Sequence, residues 1–140
     1  MEIDEAVRLR RAVVQLARAL NVTALESGLT PTQASVLGII AIRGPLPVAE
    51  VARVERLNPS MTSRTVAALH ERGLVKRSLD PSDRRAAVLE ITAAGRRLHT
   101  QVRAERASIM QRAADQLSAQ DHRRLVDALG SLETLAGLTD

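Results

Sequence analysis

The 140-residue sequence predicts a mostly helical protein with one small β-hairpin, an α+β fold class. Three observations predict this class. Apolar residues recur at helical spacing in the long stretches at both ends of the chain. All five prolines fall between residues 31 and 81, so the middle is divided into short elements. An Asp-Pro-Ser-Asp turn at residues 80–83 separates two short aliphatic runs, as in a hairpin.

Two helices are predicted in the first third of the chain. Residues 3–26 carry apolar side chains at intervals of three and four, and a glycine then ends the run. Thr30 can cap free amides, Pro31 suits the first helical position, and Gln33 completes a capping box. The following helix is apolar on most sides and is expected to be buried, and Arg43-Gly44-Pro45 stops it.

The middle of the chain predicts two shorter helices. One fits Pro47 to Arg56. Asn58-Pro59-Ser60 then repeats the cap-plus-proline start and opens a helix over about 59–72, which Gly73 ends. The helical period gives this second helix an inward face of Thr62, Val66 and Leu69, and another face of Ser60, Met61, Ser63, Arg64 and Ala67.

The hairpin and two long helices complete the chain. Residues 74–79 and 86–91 are predicted to be its strands. Thr92 can cap a long helix that runs to about residue 117, and Ser118-Ala119-Gln120-Asp121 begins a last helix through about residue 136. No internal repeat and no low-complexity segment is present.

The composition excludes several kinds of site. The chain has no Phe, Tyr or Trp, so it cannot stack bases or sugars on aromatic rings as single-strand-binding proteins do. It has no cysteine, which excludes a disulfide framework, a thiol nucleophile, a thiol redox sensor and a Cys-ligated zinc site.

The net charge of +4 lies entirely in the centre of the sequence. Residues 44–97 hold ten cations and six acids, whereas the remaining residues hold ten of each. Nineteen of the 20 cations are Arg. The longest apolar run, at residues 36–42, is too short for a membrane span, and the first residues are acidic and lack an apolar signal core. We therefore expect a cytoplasmic protein with no membrane partner.

Two short helices joined by a tight turn and followed by a hairpin with a basic tip predict a winged helix-turn-helix. Small and hydrogen-bonding side chains on the outer face of the 59–72 helix can approach the major groove of duplex DNA without collision. The helix start at residues 58–60 presents free amides that favour phosphate. An arginine on the hairpin tip suits the narrow, negative minor groove.

Four stretches of the sequence resemble the MarR-type transcription regulators. They are Leu29-Thr30-Pro31-x-Gln33, His70-Glu71-Arg72-Gly73-Leu74-Val75, Asp80-Pro81-Ser82-Asp83-Arg84-Arg85, and Leu89-x-Ile91-Thr92-x-x-Gly95. Each stretch alone is weak, but their order, the lengths between them and the flanking helices all agree. The resemblance covers nearly the whole chain.

The resemblance implies an obligate homodimer that binds one pseudo-palindromic operator. It implies a single domain over residues 1–140, in which residues 31–92 form the DNA-binding part and residues 1–28 and 93–140 the helical dimerisation part. Many such regulators are repressors that small aromatic acids or drugs release, so a ligand of that kind is an expected partner here. The effector-binding residues remain unknown, and no cofactor is expected.

The resemblance also implies roles for individual residues. In such regulators the second arginine of the wing tip, here Arg85, reaches the minor groove, and Asp83 helps to orient the wing. Arg84 is a candidate for phosphate contact. The 59–72 helix corresponds to the recognition helix of such regulators, and its contacts are expected from Ser60, Thr62, Ser63, Arg64 and Thr65.

Each of these residues also has a structural interpretation. Arg84 and Arg85 fit a solvated hairpin tip, and Arg64 fits a solvated helix face. Ser60 and Ser63 fit plain helix-start residues, and the positions of Thr62 and Thr65 overlap the inward face. Arg72, Lys76 and Arg77 are expected to contribute long-range electrostatics. The apolar stripes of the terminal helices fit either a monomer core or, as we favour, a dimer interface.

Two other classes of function fit the sequence less well. An enzyme is disfavoured because the sequence shows no nucleophile–base pair, metal cluster or phosphate-binding glycine loop. His70, His99 and His122 are scattered over three helices without metal-ligand spacing, and Asp80 and Asp83 fit turn capping and salt bridging better than paired catalysis. The alternative function is a helical protein–protein adaptor that uses a winged-helix scaffold without binding DNA.

Overall fold

A computed structural model describes residues 1–83 and 85–138 of the chain. Within these residues, six helices and three short strands confirm the predicted fold class. In chain order they are α1 Ile3–Glu26, α2 Pro31–Arg43, β1 Leu46–Pro47, α3 Val48–Val54, α4 Pro59–Glu71, β2 Val75–Leu79, β3 Ala87–Ile91, α5 Ala93–Ala114 and α6 Ala119–Leu138.

The chain divides into two compact units, Met1–Glu105 and Arg106–Asp140. The first contains α1 to α4, the sheet and the first half of α5. The second contains the end of α5 and all of α6. The assignment of residues 31–92 to DNA binding and of the flanks to dimerisation is a functional division and stays a prediction. None of the helices in the described ranges has the length and apolar content that a membrane span needs.

The sheet contains one strand that the sequence did not predict. Leu46 pairs with Leu89 and Pro47 with Val88, so β1 lies antiparallel to β3 in the order β1-β3-β2. The prediction that a helix begins at Pro47 was therefore wrong by one residue, because Pro47 belongs to the strand and α3 begins at Val48. Two residues are too few to give any periodic signal, and their partner lies far along the chain.

The core of the first unit lies between the helices and the sheet. Its fully buried, larger aliphatic side chains come from the α1–α2 turn, from helices α2, α3 and α4 and from strands β2 and β3: Leu29, Val36, Leu37, Ile40, Val51, Val66, Leu69, Val75 and Leu89. The predicted burial of α2 agrees with this arrangement, since four of its residues are buried. This core holds α4 and the hairpin in one unit.

The starts of three helices follow the predicted capping chemistry. The Thr30 hydroxyl accepts from the Gln33 amide at 3.1 Å, and the Gln33 side chain accepts from the Thr30 amide at 3.0 Å. The Asn58 side chain accepts from the amide of Met61 at 2.8 Å. The Ser118 hydroxyl caps α6 by accepting from the Asp121 amide at 3.1 Å. Because each of these bonds joins residues three positions apart, the sequence predicts these three helix starts.

Helices α1 and α4 end in the same backbone motif. In α1 the amide of Leu29 donates to the carbonyl of Ala24 at 2.9 Å, and the amide of Gly28 donates to that of Leu25 at 3.0 Å. This is a Schellman motif, whose left-handed residue is usually glycine. Gly28 has φ +78°, and Gly73 takes the equivalent place after α4 with φ +68°. Both glycine stops were predicted.

Helix α3 ends in this motif without a glycine. The amide of Leu57 donates to the carbonyl of Ala52 at 3.0 Å, and that of Arg56 donates to Arg53 at 3.3 Å. Arg56 therefore occupies the left-handed position, with φ +52°. The predicted helix extended to Arg56, two residues beyond its observed end at Val54, because no glycine marks this turn.

Candidate nucleic-acid interface

The outer face of α4 is the first part of the candidate interface. Pro59 and Asn58 start the helix, and Asn58 satisfies one of its free amides. Ser60, Ser63 and Arg64 are exposed, and their side chains make no hydrogen bond or ion pair within the described residues. An exposed helix start with two hydroxyls and a guanidinium can bind phosphate and base edges.

Two threonines of α4 do not belong to that face. Thr62 and Thr65 are 1% and 7% exposed, and both pack toward the core. The Thr62 hydroxyl donates to the Asn58 carbonyl at 2.9 Å, and the Thr65 hydroxyl donates to the Met61 carbonyl at 2.8 Å. Their expected part in DNA contact is corrected accordingly, because neither hydroxyl faces solvent and both are already bonded inside the helix.

The tip of the hairpin is held by two aspartates. Asp80 accepts from the amide and the hydroxyl of Ser82 at 2.8 and 2.7 Å. Asp83 accepts from the amide of Arg85 at 3.0 Å through Oδ1, and its carbonyl accepts from the amide of Ala86 at 3.0 Å. These bonds close a compact turn, since the amide of Asp80 also donates to the Ala86 carbonyl at 2.9 Å.

The guanidinium of Arg85 stands on this turn. Arg85 is exposed, and its side chain has no bonded partner in the part of the chain that the structure describes. Arg84, the other predicted contact of the tip, lies outside the described residues.

The Ser82 hydroxyl and the Ser82 amide hold the pKa of Asp80 below its ordinary value of 3.8. The same hydrogen bonds that favour the ionised carboxylate of Asp80 close the turn.

The base of the wing is fixed to the start of α5. The Thr92 hydroxyl donates to the carbonyl of Gly73 at 2.6 Å and accepts from the amide of Gly95 at 3.0 Å. The amide of Thr92 donates to the carbonyl of Leu74 at 3.1 Å. One residue thus caps α5, as predicted, and also joins it to the turn that ends α4.

Gly95 is required by the same junction. A Cβ at this position would lie only 2.0 Å from the carbonyl oxygen of Leu74 and 2.9 Å from Cγ1 of Ile91. The first turn of α5 therefore passes the α4–β2 turn at a distance that only glycine allows. Ile91, Thr92 and Gly95 of the Leu-x-Ile-Thr-x-x-Gly stretch therefore all take part in this junction.

The basic residues of the central segment do not all have the same freedom. Lys76 pairs with Glu90 on the neighbouring strand at 3.4 Å, and Arg53 pairs with Glu50 at 2.6 Å. The guanidinium of Arg72 donates to backbone carbonyls of the α1–α2 turn. The cations left without a bonded partner among the described residues are Arg64, Arg77, Arg85, Arg96 and Arg97.

The histidines take part in no metal cluster in the described ranges. No group of three or more His, Asp or Glu side chains there could hold a metal ion. Nδ1 of His70 lies 3.2 Å from the carbonyl oxygen of Val75, which ties the end of α4 to β2. Met61 was not among the expected contacts, although the helical period places it on the outer face of α4, where its apolar side chain is 41% exposed.

The MarR family profile matches residues 27–86. An uncharacterized HTH-type transcriptional regulator of Mycobacterium leprae is 31% identical over 90 residues, which are 64% of this chain and 63% of that relative. The alignment therefore spans less than two thirds of the relative's length.

Two solved structures are similar over almost the whole chain. CouR of Rhodococcus jostii, crystallised with bound p-coumaroyl-CoA, is 31% identical with a TM-score of 0.68, and the match covers 93% of this chain and 92% of CouR. A mutant of MepR from Staphylococcus aureus, bound to an oligodeoxyribonucleotide, shares the fold with a TM-score of 0.71 at 17% identity, covering 96% and 99%. From the winged fold, the matched segment and these relatives, we conclude that the chain belongs to the MarR family.

Proposed function

We propose that the protein is a sequence-specific regulator of transcription that binds double-stranded DNA as a homodimer on a pseudo-palindromic operator. One observation carries the proposal. The exposed side chains of Ser60, Ser63 and Arg64 on α4 and that of Arg85 on the wing belong to one compact unit, and none has a bonded partner among the described residues.

This pair of elements fits the two grooves of a duplex. Ser60 and Ser63 are small enough to let α4 enter a major groove about 12 Å wide, where Arg64 can reach phosphate or a guanine edge. The narrow minor groove concentrates negative potential and favours a weakly hydrated guanidinium such as that of Arg85. The hydrogen bonds of Asp83 within the tip support its assignment as the residue that orients the wing.

The apolar surface of the terminal helices supports the homodimer. Val7 and Val13 of α1 are 51% and 52% exposed in the single chain, and α6 has no buried residue at all. Helices with apolar stripes are stable only when another surface covers them. A second copy of the chain would cover these faces and place two recognition helices on one duplex.

We also propose that the regulator is a ligand-responsive repressor. CouR, at 31% identity, has been crystallised with an aromatic acyl-CoA, which supports a small-molecule effector of the aromatic-acid class here. Because the chain has no aromatic residue, aliphatic and arginine side chains would have to contact an aromatic effector. The protein would act in the cytoplasm, on the DNA there.

Selection of bound duplexes from a random DNA pool tests the central proposal. We expect an enriched motif with two inverted half-sites about 10 base pairs apart, centre to centre. Affinity for that motif should fall steeply with salt, because arginines on both subunits displace counterions from phosphate. A pool without enrichment, together with no competition by nonspecific duplex at low salt, would favour the adaptor function instead.

A further inference from the structure

Arg72 connects the end of the recognition helix to the end of α1. It is the C-cap residue of α4. Its Nη1 donates to the carbonyl of Gly28 at 2.7 Å and its Nη2 to the carbonyl of Ser27 at 3.2 Å. The acceptors lie 44 and 45 residues earlier in the sequence, in the turn that closes α1.

The chemistry of this contact suits a guanidinium. The last carbonyls of a helix carry partial negative charge, and a nearby cation is favourable. The last turn of α1 has no basic residue of its own, so Arg72 supplies the missing cation from another helix. The planar guanidinium presents its two Nη donors in fixed directions toward two neighbouring carbonyls. A lysine ammonium has no such fixed pair of donors.

Gly28 lies directly beside the guanidinium. A Cβ on Gly28 would lie 3.6 Å from both Nη atoms of Arg72, an ordinary van der Waals distance, so the guanidinium is close to the backbone of the turn. The left-handed φ of +78° is what favours glycine at this place. The α1–α2 turn therefore presents a Schellman motif as the acceptor, and Arg72 reaches it through two hydrogen bonds at the surface.

We propose that Arg72 is a positioning residue that fixes the orientation of the recognition helix relative to α1 and thereby the spacing of the two half-sites that the dimer accepts. This inference rests on the proposed function, which gives α4 to DNA and α1 to the dimer. Rotation of α4 about its own N-terminus is resisted at its far end by the two carbonyl bonds. Half-site spacing is thus set by a contact that touches neither DNA nor the partner subunit.

The link differs from the two simpler roles that Arg72 could have. The two carbonyl bonds use two of the five guanidinium N–H groups of Arg72, so a phosphate contact is tested separately through the salt dependence of binding. A purely stabilising contact would change the free energy of unfolding without changing which spacing is preferred. The experiments therefore measure orientation and spacing rather than affinity alone.

The first measurement needs neither DNA nor dimer. The chain has no cysteine, so an Arg18→Cys, Ala67→Cys variant carries spin labels only on α1 and on α4. Diluted with unlabelled protein, it reports the distance between these helices within one chain. We expect a narrow distribution, a clearly broader one after Arg72→Met, and no broadening after Arg77→Met, which removes the same charge from an exposed residue. An unchanged distribution in Arg72→Met would overturn the inference.

The second measurement uses operators obtained by duplex selection with the full-length protein. Inserting one base pair between the half-sites should cost the unaltered chain and Arg77→Met on the order of tenfold in affinity, and Arg72→Met about threefold or less. The slope of log affinity against log salt should be the same in both variants, since loss of a phosphate contact would lower it by about 0.9 per contact.

The outcomes of the two measurements are separable. A lower salt slope confined to Arg72→Met would assign this residue to phosphate and overturn the inference. If Arg72→Met broadens the distance distribution but still loses as much affinity as the unaltered chain when one base pair is inserted, the part of the inference that concerns half-site spacing would be overturned. If the unaltered protein selects no duplex, the proposed function fails, while the spin-label distances still decide whether Arg72 fixes α4.

Discussion

At the scale of single residues, identical side chains have different roles because their surroundings differ. Arg64 and Arg85 are exposed without a bonded partner in the described chain, whereas both Nη atoms of Arg72 donate hydrogen bonds to backbone carbonyls. Ser60 and Ser63 are exposed, whereas Thr62 and Thr65 on the same helix are buried. The residue type therefore indicates which contact a side chain could make, and the exposure of that side chain in the fold decides whether the contact is possible.

Arg85→Ala is expected to weaken operator binding by about 1–3 kcal/mol, because a guanidinium in the minor groove is lost from each subunit. A mobility-shift titration with the selected duplex measures the loss. Arg103→Ala removes the same charge from an exposed position in α5 and should change affinity far less. Equal affinities of the Arg85 variant and the unaltered chain would show that the tip is only solvated.

Ser82→Ala is expected to raise the pKa of Asp80 toward 3.8, because the Ser82 hydroxyl contributes most to lowering it. A carboxyl whose pKa is lowered in the folded state stabilises that state above its unfolded pKa, and the contribution is lost as pH falls through the folded pKa. The wing tip should therefore loosen only in strong acid. An NMR titration of the Asp80 carboxyl provides the test.

Ser131→Ala, on an exposed position of α6, is the matched control for this titration and should leave the Asp80 midpoint unchanged. If Ser82→Ala also leaves that midpoint in place, the backbone amides alone hold the carboxylate, and the hydroxyl contact has no part in closing the turn.

At the scale of elements, the positions where helices end explain the shape of the winged unit. Three helices close with the same backbone motif, and two of them use glycine at the left-handed position. Thr92 and Gly95 then join α5 to the turn after α4. Because these turns carry the wing and the recognition helix, their geometry determines how the two are presented together.

Gly95→Ala is expected to destabilise the fold by about 1–3 kcal/mol, because the new methyl group would overlap the Leu74 carbonyl and force α5 to move. Denaturant unfolding monitored by circular dichroism measures this change. Arg96→Ala, at the next position of the same helix and exposed, should stay within about 0.5 kcal/mol of the unaltered chain. Equal stability of the two variants would contradict the close approach.

At the scale of the whole molecule, the distribution of charge and apolar surface is what the sequence shows most clearly. All the net positive charge belongs to residues 44–97, and ion pairs and carbonyl bonds then engage part of it. The apolar side chains of α6 are exposed in the single chain, with Leu125 at 41% and Leu129 at 48%. Such a stripe requires a covering surface.

The unaltered protein is expected to sediment as a dimer at micromolar concentration, and Leu125→Glu with Leu129→Glu to raise the dimer dissociation constant at least about tenfold, because two charges would enter an apolar interface. Leu125→Met with Leu129→Met keeps the volume and polarity of the stripe and should still dimerise. A stable folded monomer of the unaltered chain under these conditions would refute the homodimer.

The sequence by itself determined the helices, their starts except that of α3, two glycine stops and the hairpin, because all of these depend on residues a few positions apart. Helix starts and stops depend on nearby residues, here the capping boxes, Pro59, Gly28 and Gly73. Helical periodicity can be seen directly in the order of apolar residues. The resemblance of four short stretches added the family, which the comparisons confirmed. The outer face of α4 also followed from its period, apart from the two threonines that share its inner edge.

Only the tertiary structure decided the contacts between residues far apart in the chain. The pairing of Leu46 with Leu89, the close passage of Gly95 and Leu74, and the bonds from Arg72 to the α1–α2 turn leave no local pattern. Arg56 occupies a left-handed position that glycine usually takes, and for this reason the predicted end of α3 was wrong. The physical reason is that propensity and periodicity describe neighbours along the chain, whereas packing brings together groups whose separation in sequence carries no signal.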